Sequence, residues 1–575
     1  MGKEKKDFKP KPKSSFKKGE PRFVKQNKTQ IDPTTKEMRS LYNKLMQNTK
    51  SDKSLLIKKI LSIIGEKYEN YCYKHDGCRV LQGCLKYGTK EQKNKIIKGL
   101  MPFLFKIICG KYSIYLGNKI FKYSDNEQKK IILEEIIKPN FINLLKYSGG
   151  ITFTKTIFMY SNTNYQDELI NLYIKDYFKI PLDKIKLLKE SDIKENNKNK
   201  DDNIEMKEEE KKENIIIDNS EKNVETDNII KKIKEHLEKQ LEKNINKNFI
   251  FHGFLNKIFD YLDEKTQIYI TELFDDDISF FLDSYYGYEL IMKMYSISSA
   301  KTRKKIIKYV RDNMDTFLTD EKGTYFIIKI ILFTDDTVSV NKIFMNAIMD
   351  KLDINIVENK NCLKILWNII SPFNKKCNNV QQQNLLNYAS ENSNKKSLDK
   401  RQKEILDNIF EKMYKIINYD IRFLIKDILY SHFLTDFIIF LANKNEIEKL
   451  ENIINNIILY LEEDYKNNKD NVNNCVLADK VGQFTVKRIF KDLIEIEGEG
   501  NKYGKSFAEK IAKIMKTDLD KFLDSRAVFL VVMIMENKDT KKYLSKELEK
   551  FKSDIMKNKD NEKLKGMQLL SKLIN

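Results

Sequence analysis

Residues 75–88 read HDGCRVLQGCLKYG, and this stretch decides the fold because it returns along the chain. A related segment, KYSIYLGNKIFKYS, occupies residues 111–124, and a third, GGITFTKTIFMYS, occupies residues 149–161. A fixed period marks stacked units that bury their apolar faces only against one another. The three segments close on aromatic residues that are 36 and 37 residues apart: Tyr87, Tyr123 and Tyr160.

Nearly the same period returns further along the chain, where residues 286–292 read YGYELIM and residues 322–328 read KGTYFII. A third unit, KNCLKIL, follows at residues 360–366, so the three units begin at positions 286, 322 and 360. Weaker matches to the repeat occur at residues 479–487, 525–528 and 565–570. Between these segments apolar residues recur at steps of three and four, which is typical of helices. With only 19 Gly and 8 Pro in 575 residues, the sequence predicts an all-α fold built from helical repeats.

Composition shifts divide the chain into repeats and linkers. The first 36 residues hold twelve Lys or Arg against four Asp or Glu, and we interpret this basic arm as a nuclear or nucleolar address, with a solubilising tail as the alternative. Polar, charge-mixed or Asn/Gln-rich stretches separate the later blocks. We predict a disordered basic tail (1–37), N-terminal repeats (38–188), a disordered charged insertion (189–228), a second block of repeats (229–373), a disordered Asn/Gln-rich linker (374–400) and C-terminal helical repeats (401–575).

A helical unit of 36 residues with a small-residue turn before Cys-Arg-x-x-Gln resembles the Pumilio repeat of the PUF family. The order of features resembles the divergent Puf-A or penguin class, with a basic tail, His75-Asp76 before the first strong repeat, Ser371-Pro372 after a later one, and a terminal KGMQLL at residues 565–570. That class ends in a helical CPL domain, which the region from about 400 to 540 resembles. The resemblance implies a right-handed solenoid of three-helix repeats, armadillo-like in general form, arranged in two blocks that are curved or L-shaped.

In code-reading members of the family, the first and fifth positions of the pentapeptide contact a base edge and the second stacks on the ring. Carried over, Cys78 and Gln82 would contact an edge and Arg79 would stack, although both edge residues are also suited to packing the helix. Later repeats place aliphatic residues or Glu289 at these positions, so we expect binding largely without sequence preference. The candidate base-reading residues are Cys78, Arg79, Gln82, Tyr115, Asn118 and Tyr325.

If base edges are not read, the phosphate backbone must supply the affinity through clustered Lys and Arg. The run from Lys301 to Arg311 contains six cations and no Asp or Glu inside it. An ordinary solvated helix face is the alternative interpretation. The candidate phosphate-binding residues are Lys119, Lys155, Lys301, Arg303, Lys304, Lys305, Lys308 and Arg311.

Several classes of protein are disfavoured by the sequence. The seven cysteines form no CxxC pair and the four histidines lie far apart, so we expect no disulfide framework, no metal and no cofactor. No phosphate-binding glycine loop or nucleophile motif occurs, so we expect no enzyme. The longest apolar run, residues 527–535, is far shorter than the roughly 20 residues of a membrane-spanning helix, and we expect a soluble intracellular monomer.

A formal net charge of +21 with pI near 9.2 favours a polyanionic partner, although a Lys- and Asn-heavy background would also raise the charge. The resemblance implies RNA as that partner, either pre-rRNA or mRNA, with double-stranded DNA and pre-ribosomal proteins as further partners. It also implies a role in ribosome biogenesis or translational regulation, in the nucleus and more specifically the nucleolus. The alternative is an armadillo or HEAT scaffold that binds acidic or nuclear proteins, but such scaffolds use Asn/Trp ladders and Trp367 is the single tryptophan.

Overall fold

The computed structural model describes most of the chain, and the residues it describes form helices without strands. This confirms the all-α helical-repeat fold class. The chain divides into two compact units, of which the first ends at Leu172 and the second begins at Tyr173. The described residues are 33–47, 52–181, 183–185, 219–242, 247–356, 358–388, 394–496, 499–557 and 565–574.

The first unit is built from long helices joined by short ones. A π-helical segment (Ile132–Ile137) continues the eighth helix. The helices are α1 (Pro33–Met46), α2 (Lys53–Ile64), α3 (Glu69–Cys72), α4 (His75–Tyr87), α5 (Lys90–Leu100), α6 (Leu104–Cys109), α7 (Ile114–Tyr123), α8 (Asn126–Ile131), α9 (Phe141–Leu144), α10 (Ser148–Tyr160) and α11 (Thr163–Leu172).

Four of these helices, α1, α4, α7 and α10, pack side by side in chain order and form what we call the first row. Each repeat supplies one row helix, one outer helix and one short helix that leads into the next row helix. Capping boxes fix where the outer helices begin. Thr89 and Gln92 close one before α5, and Asp125 and Gln128 close another before α8, so the turn after each row helix is set locally.

A close backbone approach fixes the register of the row helices. A Cβ added at Gly77 would lie 2.2 Å from the carbonyl oxygen of Tyr71, six residues earlier on the preceding short helix. In α7 the equivalent residue is Ser113, whose hydroxyl donates to the carbonyl of Ile107, again six residues earlier. A glycine, or a serine that hydrogen-bonds the carbonyl, fits such an approach. The same six-residue contact recurs at Gly150, Gly287, Gly323 and Gly482.

The second unit repeats this plan over a longer chain. Its helices are α12 (Asn219–Glu242), α13 (Phe249–Phe259), α14 (Glu264–Leu273), α15 (Ile278–Leu282), α16 (Tyr285–Ile297), α17 (Ala300–Asp312), α18 (Met314–Thr319), α19 (Glu321–Phe333), α20 (Thr337–Val340), α21 (Asn346–Ile354), α22 (Lys360–Ile370), α23 (Val380–Asn387), α24 (Leu398–Tyr419), α25 (Ile421–Leu424), α26 (Ile428–Asn443), α27 (Ile447–Asn467), α28 (Lys480–Glu495), α29 (Glu499–Lys516), α30 (Leu519–Leu523), α31 (Val528–Glu536), α32 (Ser545–Leu548), α33 (Lys552–Lys557) and α34 (Lys565–Ile574).

Eight of these helices pack in sequence as a second row, namely α13, α16, α19, α22, α26, α28, α31 and α34. The core between the row and the outer helices is aliphatic and aromatic. Trp367 on α22 is fully buried, and its indole Nε1 donates to Asp436 Oδ2 on α26 at 2.8 Å. The buried polar atom of this large side chain is therefore satisfied.

Three boundaries expected from composition are corrected by the structure. The helix α1 begins at Pro33, inside the stretch assigned to the basic tail, because Pro is tolerated in the first helical turn. The helix α12 begins at Asn219, inside the stretch assigned to the charged insertion. The remainder of both stretches, residues 1–32 and 189–218, lies outside the described residues.

The largest correction concerns residues 374–400, which we expected to be a disordered linker. Residues 380–387 form the helix α23, which begins with a capping box between Asn379 and Gln382 and packs on α16 and α19. Leu385 and Leu386 of this helix are buried. The polar composition of this segment did not predict a helix, because the helix is held by only two apolar side chains and by contacts with residues distant in sequence.

Candidate nucleic-acid interface

The first row carries an excess of positive charge on its side chains. Helices α4, α7 and α10 together contain five Lys or Arg and a single acid, Asp76. That acid is ion-paired with Arg39 of α1, and although desolvation opposes the change, the contact with Arg39 lowers its pKa. The five cations are Arg79, Lys86, Lys119, Lys122 and Lys155, of which Lys119 is half-buried and the other four are exposed.

The ends of these helices form a lysine and tyrosine ladder. The ammonium of Lys86 lies 4.8 Å from the centre of the Tyr87 ring, and that of Lys122 lies 5.1 Å from the Tyr160 ring of the next row helix. Hydrogen bonding with these phenols raises the pKa of both Lys86 and Lys122, so both remain charged at neutral pH. The repeat period thus places ammonium groups and aromatic faces together at successive helix ends.

In the first row, two side chains with planar groups lie at the stacking position of the repeat and are open to solvent. Tyr115 on α7 is 60% exposed. Arg79 on α4 is exposed, and its guanidinium lies 5.7 Å from the centre of the Tyr42 ring. A planar guanidinium and an aromatic ring can each stack on a base, and base stacking on such groups tolerates any sequence. Asn118, one turn further along α7, accepts a hydrogen bond from Thr156 Oγ1 at 2.9 Å and joins two row helices.

Cys78 cannot contact a base edge, contrary to the expectation from the motif. The side chain is 2% exposed and its thiol donates to the carbonyl oxygen of Cys72 at 2.8 Å. Burial raises its pKa to about 12. Cys78 therefore packs the turn beside Gly77, while Gln82 is half-buried on the same helix.

The basic run at residues 301–311 lies on α17, an outer helix rather than a row helix. Arg303 is buried, so its assignment as a phosphate ligand is wrong. Its guanidinium donates to the carbonyls of Ser296 (2.7 Å) and Phe333 (2.9 Å), which ties α17 to α16 and α19. Arg303 precedes Ile306, Ile307 and Val310 by three, four and seven residues, and this spacing marks a buried helix face.

The remaining cations of the run differ in their surroundings. Lys305 donates to both carboxylate oxygens of Asp275, at 2.8 and 2.9 Å, and Arg311 pairs with the adjacent Asp312. Lys301, Lys304 and Lys308 are exposed on the outer layer. These three lysines form a second, smaller candidate surface.

The second row differs from the first at the stacking positions. Tyr325 on α19 is 2% exposed and its hydroxyl donates to the carbonyl of Cys377 at 2.9 Å, so the expectation that it stacks a base is wrong. In α22 a direct alignment with the pentapeptide Cys78–Gln82 selects Cys362, Leu363 and Leu366, which are all buried. Cys362 is the third residue of α22, the position that glycine occupies in five other row helices. Alignment on this position moves the repeat pattern of α22 by one residue, which places Lys364 at the stacking position.

Sequence reasoning missed an exposed aromatic residue at the stacking position of α28. Gly482 shows the six-residue contact of the row helices, with an added Cβ 2.4 Å from the carbonyl of Val476. This register places Phe484 of α28 at the stacking position, where it is 54% exposed, and Lys487 at the fifth position. The weak match to the repeat at residues 479–487 contains Phe484, but the alignment of that segment with the other repeats depends on the glycine contact.

Nothing in the described ranges resembles a metal centre, since no three His, Cys, Asp or Glu side chains come close enough to hold an ion. The seven cysteines are free. Within the same ranges, no helix combines the length and apolar character needed to cross a membrane.

The fold and this face define a helical-repeat protein with a basic, aromatic row. The model of the Pumilio-family RNA binding repeat matches residues 77–101 and 118–137, and the model of the CPL (NUC119) domain matches residues 358–502. The Pumilio repeats favour this class over the armadillo or HEAT alternative. The CPL match also corrects the expected bounds, because it begins within the second block of repeats and includes the segment taken for a linker.

Two fungal relatives share the name Pumilio homology domain family member 6. The one from Schizosaccharomyces pombe is 22% identical over 313 residues, which is 54% of this chain and 45% of that protein. The one from Saccharomyces cerevisiae is 22% identical over 585 residues, covering 96% of this chain and 83% of the relative. This chain therefore aligns with less than half of the first relative and most of the second.

Among solved structures, human Puf-A has the same fold, with a TM-score of 0.61 at 15% identity over 94% of this chain and 99% of that one. A second human Puf-A structure, in complex with DNA, has the same TM-score at 16% identity. The chain is a divergent PUF protein with a CPL domain.

Proposed function

We propose that the chain binds RNA, and DNA by the same contacts, largely without reading base sequence. The supporting observation is in the first row, where α4, α7 and α10 carry five cations and a single acid that Arg39 already pairs, and where Tyr115 is exposed for stacking. Phosphate contacts of this kind give affinity without discrimination between bases. Cys78 is buried at the one repeat that best matches the base code, which further favours binding through the backbone.

A salt titration of the full-length chain against two unrelated single-stranded RNAs of equal length tests this proposal. We expect similar affinities for both RNAs and a steep fall of affinity with salt. Replacing Lys86, Lys122 and Lys155 with Ala should reduce the slope of log affinity against log salt by about 2, since each phosphate contact to a single strand contributes roughly 0.7.

The matched control replaces the three exposed lysines of α17, Lys301, Lys304 and Lys308, with Ala. We expect this variant to keep the wild-type slope. If the control loses affinity and the first-row variant does not, the outer layer is the binding surface. An affinity indifferent to salt would contradict the proposal as a whole.

We further propose that the RNA is a pre-rRNA or an mRNA, and that the protein works in ribosome biogenesis or translational regulation as a binding protein rather than an enzyme. The family supports this role, and the basic tail supports a place in the nucleus, specifically the nucleolus. Pre-ribosomal proteins are further partners under this proposal. Crosslinking in cells followed by sequencing of the bound RNA identifies the target, and recovery of RNAs without rRNA precursors or mRNAs would contradict it.

A further inference from the structure

Residues 374–388, which we call the cover segment, lie across the face of the second row. The Gln381 amide donates to Glu289 Oε1 of α16 at 2.6 Å, and the Tyr325 hydroxyl of α19 donates to the Cys377 carbonyl at 2.9 Å. Asn378 Nδ2 donates to Asn368 Oδ1 of α22 at 2.8 Å. Three consecutive row helices are thus bound by one stretch of chain.

Two of these contacts fall at the position that stacks a base in the family's code. Glu289 and Tyr325 each follow the register glycine of their helix by two residues, as Arg79 does in α4. Tyr115 follows Ser113 by two residues in the same way. In the first row this position is open to solvent, whereas in α16 and α19 of the second row the cover segment contacts it.

The far end of the cover segment is held by a buried lysine. Lys329 of α19 is fully buried, and its ammonium donates to the carbonyls of Leu385 and Leu386 at 3.0 Å and to that of Tyr388. These carbonyls lie at the end of α23, where they have no partner within the helix and a cation stabilises them. Ser296 also donates to the Tyr388 carbonyl, at 2.6 Å. Opening the cover would leave these polar groups without their present partners.

The charges beneath the cover segment are paired locally. Lys293 lies 2.5 Å from Asp260, and Lys364 lies 3.3 Å from Glu321. Glu289 is held by Gln381. Lys293, Lys364 and the buried Lys329 of this face are therefore already engaged within the chain, whereas Lys86, Lys122 and Lys155 of the first row are exposed to a polyanion.

We propose that the cover segment is a permanent occupant of the face formed by α16, α19 and α22, and that it confines nucleic-acid binding to other surfaces of the chain. This inference rests on the proposed nucleic-acid binding of the first row. On this inference, the surface that contacts bases in code-reading relatives is covered here by a segment of the chain itself.

Photocrosslinking of the full-length chain with a radiolabelled single-stranded RNA tests the inference. Tyr115 or Glu289, which share one register position in the two rows, is replaced with p-benzoylphenylalanine. We expect position 115 to crosslink to RNA and position 289 to crosslink to the cover peptide. An RNA crosslink at position 289 would overturn the inference, whereas loss of the RNA crosslink at position 115 alone would overturn the proposed binding face.

Hydrogen exchange on the unmodified chain provides a test that needs no substitution. We expect the amides of residues 381–387 to exchange at the same rate with and without saturating RNA. Faster exchange in that peptide on RNA addition shows that RNA displaces the cover, which contradicts a permanent occupant. Slower exchange there shows RNA bound on the cover itself, which also contradicts the stated confinement.

Discussion

At the scale of the residue, exposure separates side chains that the repeat pattern makes equivalent. Tyr115 and Tyr325 occupy the same register position, yet the first is mostly exposed and the second is buried under Cys377. The chemistry of a tyrosine ring is the same in both places. What differs is whether another part of the chain already covers the ring and accepts a hydrogen bond from its hydroxyl.

Replacing Tyr115 with Ala is expected to lower RNA affinity by roughly 5- to 150-fold, since stacking on an aromatic ring contributes about 1–3 kcal/mol per base. Tyr115→Phe keeps the ring and should retain the affinity. Fluorescence anisotropy at one fixed salt concentration measures both variants. Tyr325→Phe is the matched control and should bind RNA as the wild type does, so weakened binding by this control would contradict the assignment.

The buried thiols predict a loss of stability in alkali. Burial raises the pKa of Cys84 to about 12, while a thiol in the unfolded chain ionises near 8.5. Because the folded pKa is the higher one, the stabilising effect is complete below about pH 8.5 and is lost as the pH rises toward 12. Unfolding by urea should show roughly 2 kcal/mol less contribution from Cys84 at pH 10 than at pH 7.5. The Cys84→Ala variant should show a shallower fall, and an identical pH profile for both chains would contradict this.

At the scale of the element, a backbone contact rather than a side-chain motif defines the repeat. In five of the twelve row helices the third residue is a glycine that lies against a carbonyl six residues earlier, which lets the short helix and the row helix meet. The hydrophobic pattern alone leaves the register uncertain by one residue. In α22, where Cys362 replaces glycine, the aligned code was displaced by one residue for this reason.

Gly77→Ala is expected to destabilise the first unit by about 1–3 kcal/mol, because the added methyl would meet the Tyr71 carbonyl at 2.2 Å. The control is Gly117→Ala in α7, where an added methyl meets the flexible Ile108 side chain at 3.1 Å. There the gain in helix propensity offsets the contact, and the midpoint of unfolding should stay close to the wild type. Circular dichroism during denaturation measures both, and equal effects would contradict the register argument.

The cover segment predicts a second contrast, within the helix α23. Leu386 is fully buried and Val380 is 73% exposed. Leu386→Ala should cost about 2–4 kcal/mol of stability in the second unit, while Val380→Ala should change it by no more than about 0.5 kcal/mol. Calorimetry of the two variants separates a packed helix from a linker, and a Leu386→Ala variant as stable as the wild type would contradict the packing described for α23.

At the scale of the whole molecule, the sequence predicts the helices that recur in every repeat but not the segments that occur only once. The regular spacing of the repeats was sufficient to predict the helical rows, because the repeats share a short-range pattern. The cover segment could not be predicted, since its anchors Lys329 and Glu289 lie far from it in the sequence and no periodicity connects them. Arg303 was predictable in principle from its spacing to Ile306 and Val310, but the surrounding lysines masked that signal.

The net charge of the whole chain also leads to a prediction about residues 1–32, which hold eleven Lys or Arg against four acids. A dense cationic segment adds phosphate contacts and speeds association with a polyanion whatever its base sequence. Deleting residues 1–32 should therefore lower RNA affinity at low salt and flatten the salt dependence, while leaving the ratio of affinities for different RNAs unchanged. The matched control shuffles the order of this same segment at constant composition and should bind as the wild type does, because charge and not order supplies the attraction. A shuffled chain that binds as weakly as the deletion would show that the tail makes specific contacts, and a deletion without effect on the salt slope would assign the phosphate contacts to the folded units alone.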